Sequence, residues 1–204
     1  MTENLVLVPG AGQLPEVWTG VINQLPHGVV PKLPTLRGGL DEQVEQLQDY
    51  LQKHELTSFY LGGHAVGAMV AVRFAAAFPK RVRGLVLSDP QLRLDETQLK
   101  QTRSALKFLP KFLLRRRGLD KAELLHQLDD AAALDLSGDL AAVAEIPVQL
   151  LAARDTEAAA REVAAALPQA ELEVVDAATG PGPAAAWFEA RPEVFGAAVG
   201  RLLV

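Results

Sequence analysis

A short, wholly apolar run, Leu5-Val6-Leu7-Val8, lies near the start of the chain and ends at Pro9-Gly10. A strand with one face in water alternates apolar and polar residues, whereas a strand buried on both faces is apolar throughout. Sheets covered on both faces occur mainly where helices connect parallel strands. The run therefore predicts a strand inside a parallel sheet.

Strand-like and helix-like segments alternate along most of the rest of the chain. Further strands are predicted at 28–31, 59–61, 85–87, 148–151 and 172–175. Helical spacing of apolar residues predicts helices over 17–25, 66–78, 161–167 and 193–203, and a further helix with Asp41 as its N-cap and an apolar stripe of Leu40, Val44, Leu47 and Leu51. Six alternating strands predict an α/β fold with a six-stranded, mainly parallel sheet, helices on both faces and right-handed crossovers.

The alternation stops between residues 91 and 140, where the sequence is Leu-rich and charged. The composition predicts helices interrupted by Pro110 and Gly118, and we interpret the segment as a helical lid insertion. A chain of 204 residues, 49% of them hydrophobic, can bury one sizeable core. We therefore expect a single domain over 1–204, with a lid at about 91–140 inside it.

Composition limits the classes of function. The net charge of −5 and the pI of 5.4 give no electrostatic reason to expect a nucleic-acid partner. The absence of cysteine excludes disulfides and thiolate chemistry. Acidic residues are scattered, and no glycine-rich phosphate loop with a lysine is present, so we predict no metal and no cofactor. Without a signal peptide or a membrane-length apolar run, we expect a cytoplasmic protein with no membrane span.

The most specific motif is Gly63-His64-Ala65-Val66-Gly67, between the third predicted strand and a helix. A sharp strand-to-helix turn needs glycines because side chains there would collide with neighbouring backbone. The motif resembles the nucleophile elbow, Gly-x-Ser-x-Gly, of the α/β-hydrolase superfamily, whose members include esterases and lipases. Ala65 stands at the position of the serine.

Other segments extend this resemblance over nearly the whole chain. Leu5–Gly10 resembles the family's first core strand and oxyanion loop, with Pro9-Gly10 in place of the usual His-Gly. Leu85–Pro90 resembles the strand after the elbow helix, and Arg191–Phe195 resembles the start of the last helix. Ile146–Asp155 resembles the strand that carries the acid of the triad. The resemblance implies a minimal α/β-hydrolase fold that lacks two early antiparallel strands.

The same resemblance shows that the catalytic triad is incomplete. In the family a serine attacks an acyl carbonyl, a histidine accepts its proton, and an acid orients the histidine. The methyl group of Ala65 cannot attack, and the position of the histidine falls near Pro181, in a stretch without histidine. Only Asp155 keeps a triad-like identity. The chain's four histidines are His27, His54, His64 and His126.

Several residues near the elbow have two interpretations each. His64 is expected to pack beneath the elbow rather than replace the missing base. His126 is expected to be an exposed helix residue rather than a group that swings inward. Asp155 is either a triad-like acid or the cap of the following helix. The backbone N–H of Val66 could still serve as an oxyanion donor.

Three functions remain open on this sequence. The first is a non-catalytic or functionally diverted α/β-hydrolase-like protein that binds a small apolar or acyl-like ligand in a pocket above the elbow and under the lid. The pocket would be formed by Gly10, Gln13, His64, Ala65, Val66, Asp155 and Thr179. The second is a hydrolase or a cofactor-independent lyase-like enzyme that uses Asp155 as general base. The third is an interaction protein that binds through its lid. A fold alone does not choose among them.

Three further features are open to more than one explanation. An engineered serine-to-alanine change would leave the histidine and the first-loop dipeptide intact, whereas both differ here, which favours natural loss of the site. The basic and apolar run Leu106–Arg117 suits a membrane surface or an acidic partner, but a lid helix with one buried face is the simpler interpretation. Trp18 and Trp187 could line a ligand site or pack in the core.

Overall fold

Six strands form one sheet in the computed structural model, which describes residues 2–94, 96–108, 110, 120–178 and 186–203. The strands are β1 (Glu3–Val8), β2 (Val29–Lys32), β3 (Phe59–His64), β4 (Val82–Ser88), β5 (Val148–Ala153) and β6 (Glu171–Val175). Their order across the sheet is β2-β1-β3-β4-β5-β6, and every neighbouring pair is parallel. The predicted α/β fold with a six-stranded parallel sheet is confirmed.

Helices connect these strands. They are α1 (Thr19–Ile22), α2 (Leu40–Lys53), α3 (Val66–Ala77), α4 (Glu96–Phe108), α5 (Lys121–Ala132), α6 (Ser137–Ala142), α7 (Glu157–Ala166) and α8 (Pro192–Leu202). Short 3-10 turns cover Pro15–Trp18, Pro79–Arg81 and Trp187–Glu189. The helical spacing predicted over 17–25 is therefore divided between a 3-10 turn and the single turn of α1.

The core has two parts, one on each face of the sheet. Successive residues of a strand point to opposite faces, and β1 shows this directly. Val6 and Val8 join a cluster that contains buried residues of α2 and α3, whereas Leu5 and Leu7 join a cluster with α1 and α8. Helices thus cover both faces, which explains why the strand is apolar throughout.

The start of α2 differs from the prediction. Asp41 was expected to be the N-cap, but the helix already begins at Leu40 and Gly39 is the N-cap residue. Glu42 reaches back from the first turn, and its carboxylate accepts a hydrogen bond from the Gly39 N–H at 3.0 Å. This reverse bond satisfies an N-terminal donor, so the helix does not need a side-chain cap before it.

The segment predicted as a lid contains α4, α5 and α6. Pro110 lies outside a helix, whereas Gly118 lies outside the described residues, as do Leu109 and 111–117 of the basic run. Asp120 caps α5, since its carboxylate accepts hydrogen bonds from the N–H groups of Ala122 at 2.7 Å and Glu123 at 3.1 Å. Among the helices described, none is long and apolar enough to cross a membrane.

Candidate functional site

The sheet order places a crevice at the ends of β1 and β3. β1 lies between β2 and β3, with Val8 opposite Gly63 in the register of the β1–β3 pair. The helix after β1 packs on one face of the sheet, and the helix after β3 packs on the other. When the connections after two adjacent parallel strands pass to opposite faces of the sheet, a crevice forms at the carboxyl ends of those strands. This crevice is the usual ligand site of such sheets. The loop that starts at Pro9 and the turn at Ala65 therefore meet there.

The turn at Ala65 has an unusual backbone. Ala65 has a φ of 49° and a ψ of −114°, between the end of β3 and the start of α3. A Cβ on Gly63 would overlap the carbonyl group of Gly67, and a Cβ on Gly67 would overlap the carbonyl oxygens of Val8 and Pro9. Both glycines are therefore required by close approach of backbone to backbone.

The first turn of α3 leaves backbone donors at this position. The N–H groups of Ala68 and Met69 donate to the Ala65 carbonyl oxygen at 3.0 and 3.2 Å. Val66 and Gly67 lie before these two donors in the chain, and their N–H groups have no acceptor within the helix. Together with the positive end of the helix dipole, they favour a carbonyl oxygen or an anion at the start of α3.

His64 lies in the packed interior behind the turn. Its side chain is 4% exposed, and its Nδ1 lies 3.2 Å from the Ser88 hydroxyl oxygen and 3.4 Å from a carboxylate oxygen of Asp89. Its ring meets the Phe188 ring edge to face, with 5.1 Å between the ring centroids. These contacts hold the imidazole among buried side chains.

Asp89, which the sequence patterns do not identify as a site residue, is the most buried acidic residue described in the site region. It is 1% exposed and has a φ of 48°. Its carboxylate accepts hydrogen bonds from the N–H of Ala153 at 2.9 Å and from the Thr156 hydroxyl group. The sequence signal that could have identified Asp89 is an acidic residue directly after the apolar strand that ends at Ser88. Asp89 ties the ends of β4 and β5 together.

Asp155, which the sequence predicts as the triad acid, lies in the exposed turn between β5 and α7. The N-cap residue of α7 is Thr156, so Asp155 does not cap that helix as one of its two interpretations required. Thr179 and Pro181, predicted as a binding residue and as the position of the missing histidine, lie outside the described residues.

A cavity of about 50 Å³ lies between the loop after β1 and the helix α5. Of the residues predicted to form the pocket, Gly10 and Gln13 line it, whereas His64, Ala65, Val66 and Asp155 are not part of its described lining. Gly10 nevertheless connects the cavity to the turn, because a Cβ on Gly10 would lie 3.2 Å from the His64 ring. The cavity is therefore beside the Ala65 turn rather than directly above it.

The remaining candidate residues lie elsewhere. Trp18 and Trp187 are buried in the core, and the Trp18 ring stacks on Phe188 with 4.4 Å between centroids. His126 is exposed on α5, with its Nδ1 3.2 Å from the Asp130 carboxylate. Within the described part of the chain, no three histidine, aspartate or glutamate residues form a group that could hold a metal ion.

Comparison with known proteins agrees with this architecture. A lipase of Mycobacterium tuberculosis (strain ATCC 25618 / H37Rv), LipV, is 31% identical over 103 residues, which cover 50% of this chain and 39% of the lipase. The chain therefore matches less than half of that relative's length.

Solved structures resemble it over nearly its full length. An enol-lactonase from Burkholderia xenovorans LB400 superposes with a TM-score of 0.81 at 14% identity, covering 100% of this chain and 92% of the other. A hydrolase from Pseudomonas aeruginosa PA01 gives a TM-score of 0.77 at 18% identity, covering 99% and 90%. A family model described as the alpha/beta hydrolase family matches residues 5–199. The chain belongs to the alpha/beta hydrolase family.

Proposed function

We propose that this chain is a non-catalytic alpha/beta hydrolase that binds a small ligand beside a nucleophile elbow without a nucleophile. The observation that carries the proposal is the side chain at the turn between β3 and α3. The backbone there has the strained conformation expected of an elbow, with φ at 49°, but the group it presents is a methyl group. A methyl group has no lone pair with which to attack a carbonyl carbon.

The proposal is supported by the positions of the histidines. His64 is enclosed by Ser88, Asp89 and Phe188, so it is not free to accept a proton from a substrate. His27, His54 and His126 are exposed, and the chain has no other histidine. A general base must lie within hydrogen-bond reach of the proton that it removes.

The backbone of the site supports binding without chemistry. The N–H of Val66, at the start of α3, is the group that would act as oxyanion donor in an active relative. It depends on the backbone conformation and not on the missing serine, so it survives the substitution. We further propose that residues 91–140 act as the lid, because α5 from this segment lines the cavity beside the loop after β1.

Hydrolysis of p-nitrophenyl acetate and p-nitrophenyl butyrate tests the proposal. The wild-type chain and the Asp155→Ala variant should both hydrolyse these esters at the rate of the buffer alone. The Ala65→Ser variant should also remain at this rate, because it restores the nucleophile without a base. Wild-type hydrolysis that disappears in Asp155→Ala would overturn the proposal in favour of an enzyme that uses Asp155 as general base.

A further inference from the structure

Positive charge is concentrated in one segment of an acidic protein. Seven of the 20 lysine and arginine residues lie between residues 97 and 119, whereas none of the 25 acidic residues does. The chain as a whole has a net charge of −5, so the remainder of the chain is strongly acidic. A basic block of this kind attracts anionic partners. Of this segment, the structure describes residues 97–108, which belong to α4, and Pro110.

Helix α4 packs on the rest of the protein through one face. Leu99 and Leu106 are 8% and 1% exposed, and residues seven positions apart lie on the same side of a helix. Leu106 packs against Leu124 of α5. The start of the basic run therefore has one buried face, and the residues outside this face are available to other partners.

Phe108, at the end of α4, lies on the other side of the helix from this buried face. It follows Leu106 by two residues, which corresponds to about 200° around the helix axis. Phe108 is 85% exposed, whereas the next most exposed large apolar residue among those described, Leu14, is 38% exposed. Transfer of a phenyl ring from water to a less polar medium is favourable. Phe108 therefore favours contact with any surface that removes its ring from water.

Basic side chains lie close to Phe108. Lys100 and Lys107 are exposed and lie seven residues apart on one side of α4. Lys121 donates a hydrogen bond to the Lys107 carbonyl oxygen at 2.9 Å, which places a third ammonium group at the end of the helix. Arg103 adds less positive charge, because it is paired with Asp129 of α5. We call Lys100, Lys107, Phe108 and Lys121 the Phe108 surface.

We propose that the Phe108 surface docks on an anionic lipid bilayer. The phenyl ring enters the headgroup region, and the three ammonium groups lie beside the lipid phosphates. The sequence favours lipid over a nucleic acid, because leucine and phenylalanine are interleaved with the basic residues through Leu106–Arg117. A bilayer interface takes up such apolar side chains next to its phosphates, whereas binding to a nucleic acid backbone depends mainly on charge. The proposal does not depend on whether the chain hydrolyses esters.

Co-sedimentation of the full chain with vesicles tests the proposal. Vesicles of phosphatidylcholine with about 30 mol% phosphatidylserine should bind the chain at least about tenfold more tightly than vesicles of phosphatidylcholine alone. Sodium chloride at about 0.5 M should remove most of this difference, because it screens charges exposed to solvent. Equal binding to the two kinds of vesicle, or no binding to the anionic vesicles, would overturn the proposal.

The variant Lys107→Glu tests the charged part of the surface. It should weaken binding to the anionic vesicles at least about tenfold, because it replaces an attractive charge with a repulsive one. Lys80→Glu is the matched control, since it changes the net charge equally at an exposed position before β4, whereas α4 follows that strand. Lys80→Glu should bind nearly as well as wild type. Equal weakening in both variants would show that only net charge matters and would contradict docking through α4.

The variant Phe108→Ser tests the apolar part, with Leu14→Ser as its control. Phe108→Ser should weaken binding to the anionic vesicles about tenfold, because it removes the ring that enters the bilayer. Leu14→Ser should leave binding unchanged, and both variants should keep the wild-type Tm because both positions are exposed.

The outcome that would favour a different partner is also measurable. Wild-type binding by Phe108→Ser, together with binding of an oligonucleotide of about 20 thymidines as tight as that of the anionic vesicles, would indicate attraction by charge alone. This result would overturn the lipid assignment in favour of an acidic macromolecule.

Discussion

At the scale of single residues, Ala65 has a strained backbone, with a φ of 49° and a ψ of −114°. A non-glycine residue in such a conformation costs about 1–3 kcal/mol and persists only where its surroundings impose it. Here the Ala65 N–H donates to the Ser88 carbonyl oxygen at 2.9 Å, and the glycines on either side allow close backbone contacts. The turn is therefore maintained by packing rather than by a catalytic group.

Replacing Ala65 with glycine should stabilise the protein. Relief of about 1–3 kcal/mol of strain exceeds the ~0.4–1 kcal/mol by which glycine favours the unfolded chain, so the free energy of unfolding should rise by about 1 kcal/mol. Urea denaturation measures this change. Ala75→Gly, inside α3, is the control and should lower the free energy of unfolding by about 1 kcal/mol. Equal losses in both variants would show that Ala65 carries no strain.

Gly67→Ala should have the opposite effect. The added methyl group would overlap the carbonyl oxygens of Val8 and Pro9, which belong to backbone that cannot rotate away. We expect the free energy of unfolding to fall by about 3 kcal/mol.

The matched control for this change is Gly138→Ala in α6, where a Cβ would have nothing within 4 Å. Alanine there should stabilise the helix by up to about 1 kcal/mol. Thermal denaturation of both variants compares them, and a Gly67→Ala protein as stable as wild type would contradict the close approach.

At the scale of elements, Asp89 connects the ends of two strands and the start of a helix. It follows β4, accepts from Ala153 at the end of β5, and accepts from Thr156 at the N-terminus of α7. The bonds lie in the interior, where an unpaired donor costs about 1–3 kcal/mol. This network therefore holds the carboxyl ends of β4 and β5 in register near the turn at Ala65.

Asp89→Ala should lower the free energy of unfolding by about 2 kcal/mol, because it leaves the Ala153 N–H unpaired and removes one of the two acceptors of the Thr156 hydroxyl group, which keeps the Ala153 carbonyl oxygen at 3.1 Å. Thr156→Val should lower the free energy of unfolding by about 1 kcal/mol. The loss in the double variant should be smaller than the sum of the two single losses by at least ~0.5 kcal/mol. Denaturant unfolding of the four proteins forms the cycle. Strict additivity would mean that Asp89 and Thr156 do not act together.

The elements themselves were predicted well because their signals are local. Apolar runs identified all six strands, and the structure places each at or within a few residues of its predicted position. The predicted start of α2 was wrong. Glu42 reaches back and accepts a hydrogen bond from the Gly39 N–H, and a bond of this kind has no distinct pattern in the sequence.

At the scale of the whole molecule, aromatic side chains join the two ends of the chain. Trp18, just after β1, stacks on Phe188 at 4.4 Å and meets Phe195 of α8 edge to face at 5.0 Å. All three are fully buried on the same face of the sheet. The cluster makes the last helix part of the same core as the first strand.

Trp18→Ala and Phe188→Ala should each lower the free energy of unfolding by about 3–5 kcal/mol. The double variant should show a coupling of about 0.5–1.5 kcal/mol, because the rings are stacked. Unfolding followed by circular dichroism gives these values. A separate, earlier transition for the C-terminal helix would contradict a single core.

The sequence by itself determined the alternation of strands and helices, the parallel sheet, the glycines of the turn, the alanine at position 65 and the absence of a histidine after residue 126. These features follow from residue identity and spacing along the chain. The tertiary structure alone decided that His64 and Asp89 meet, that Trp18 belongs to the core, and that Gln127 of α5 lines a cavity beside the loop after β1. Such contacts join residues far apart in the chain, and their energies depend on which elements become neighbours in space.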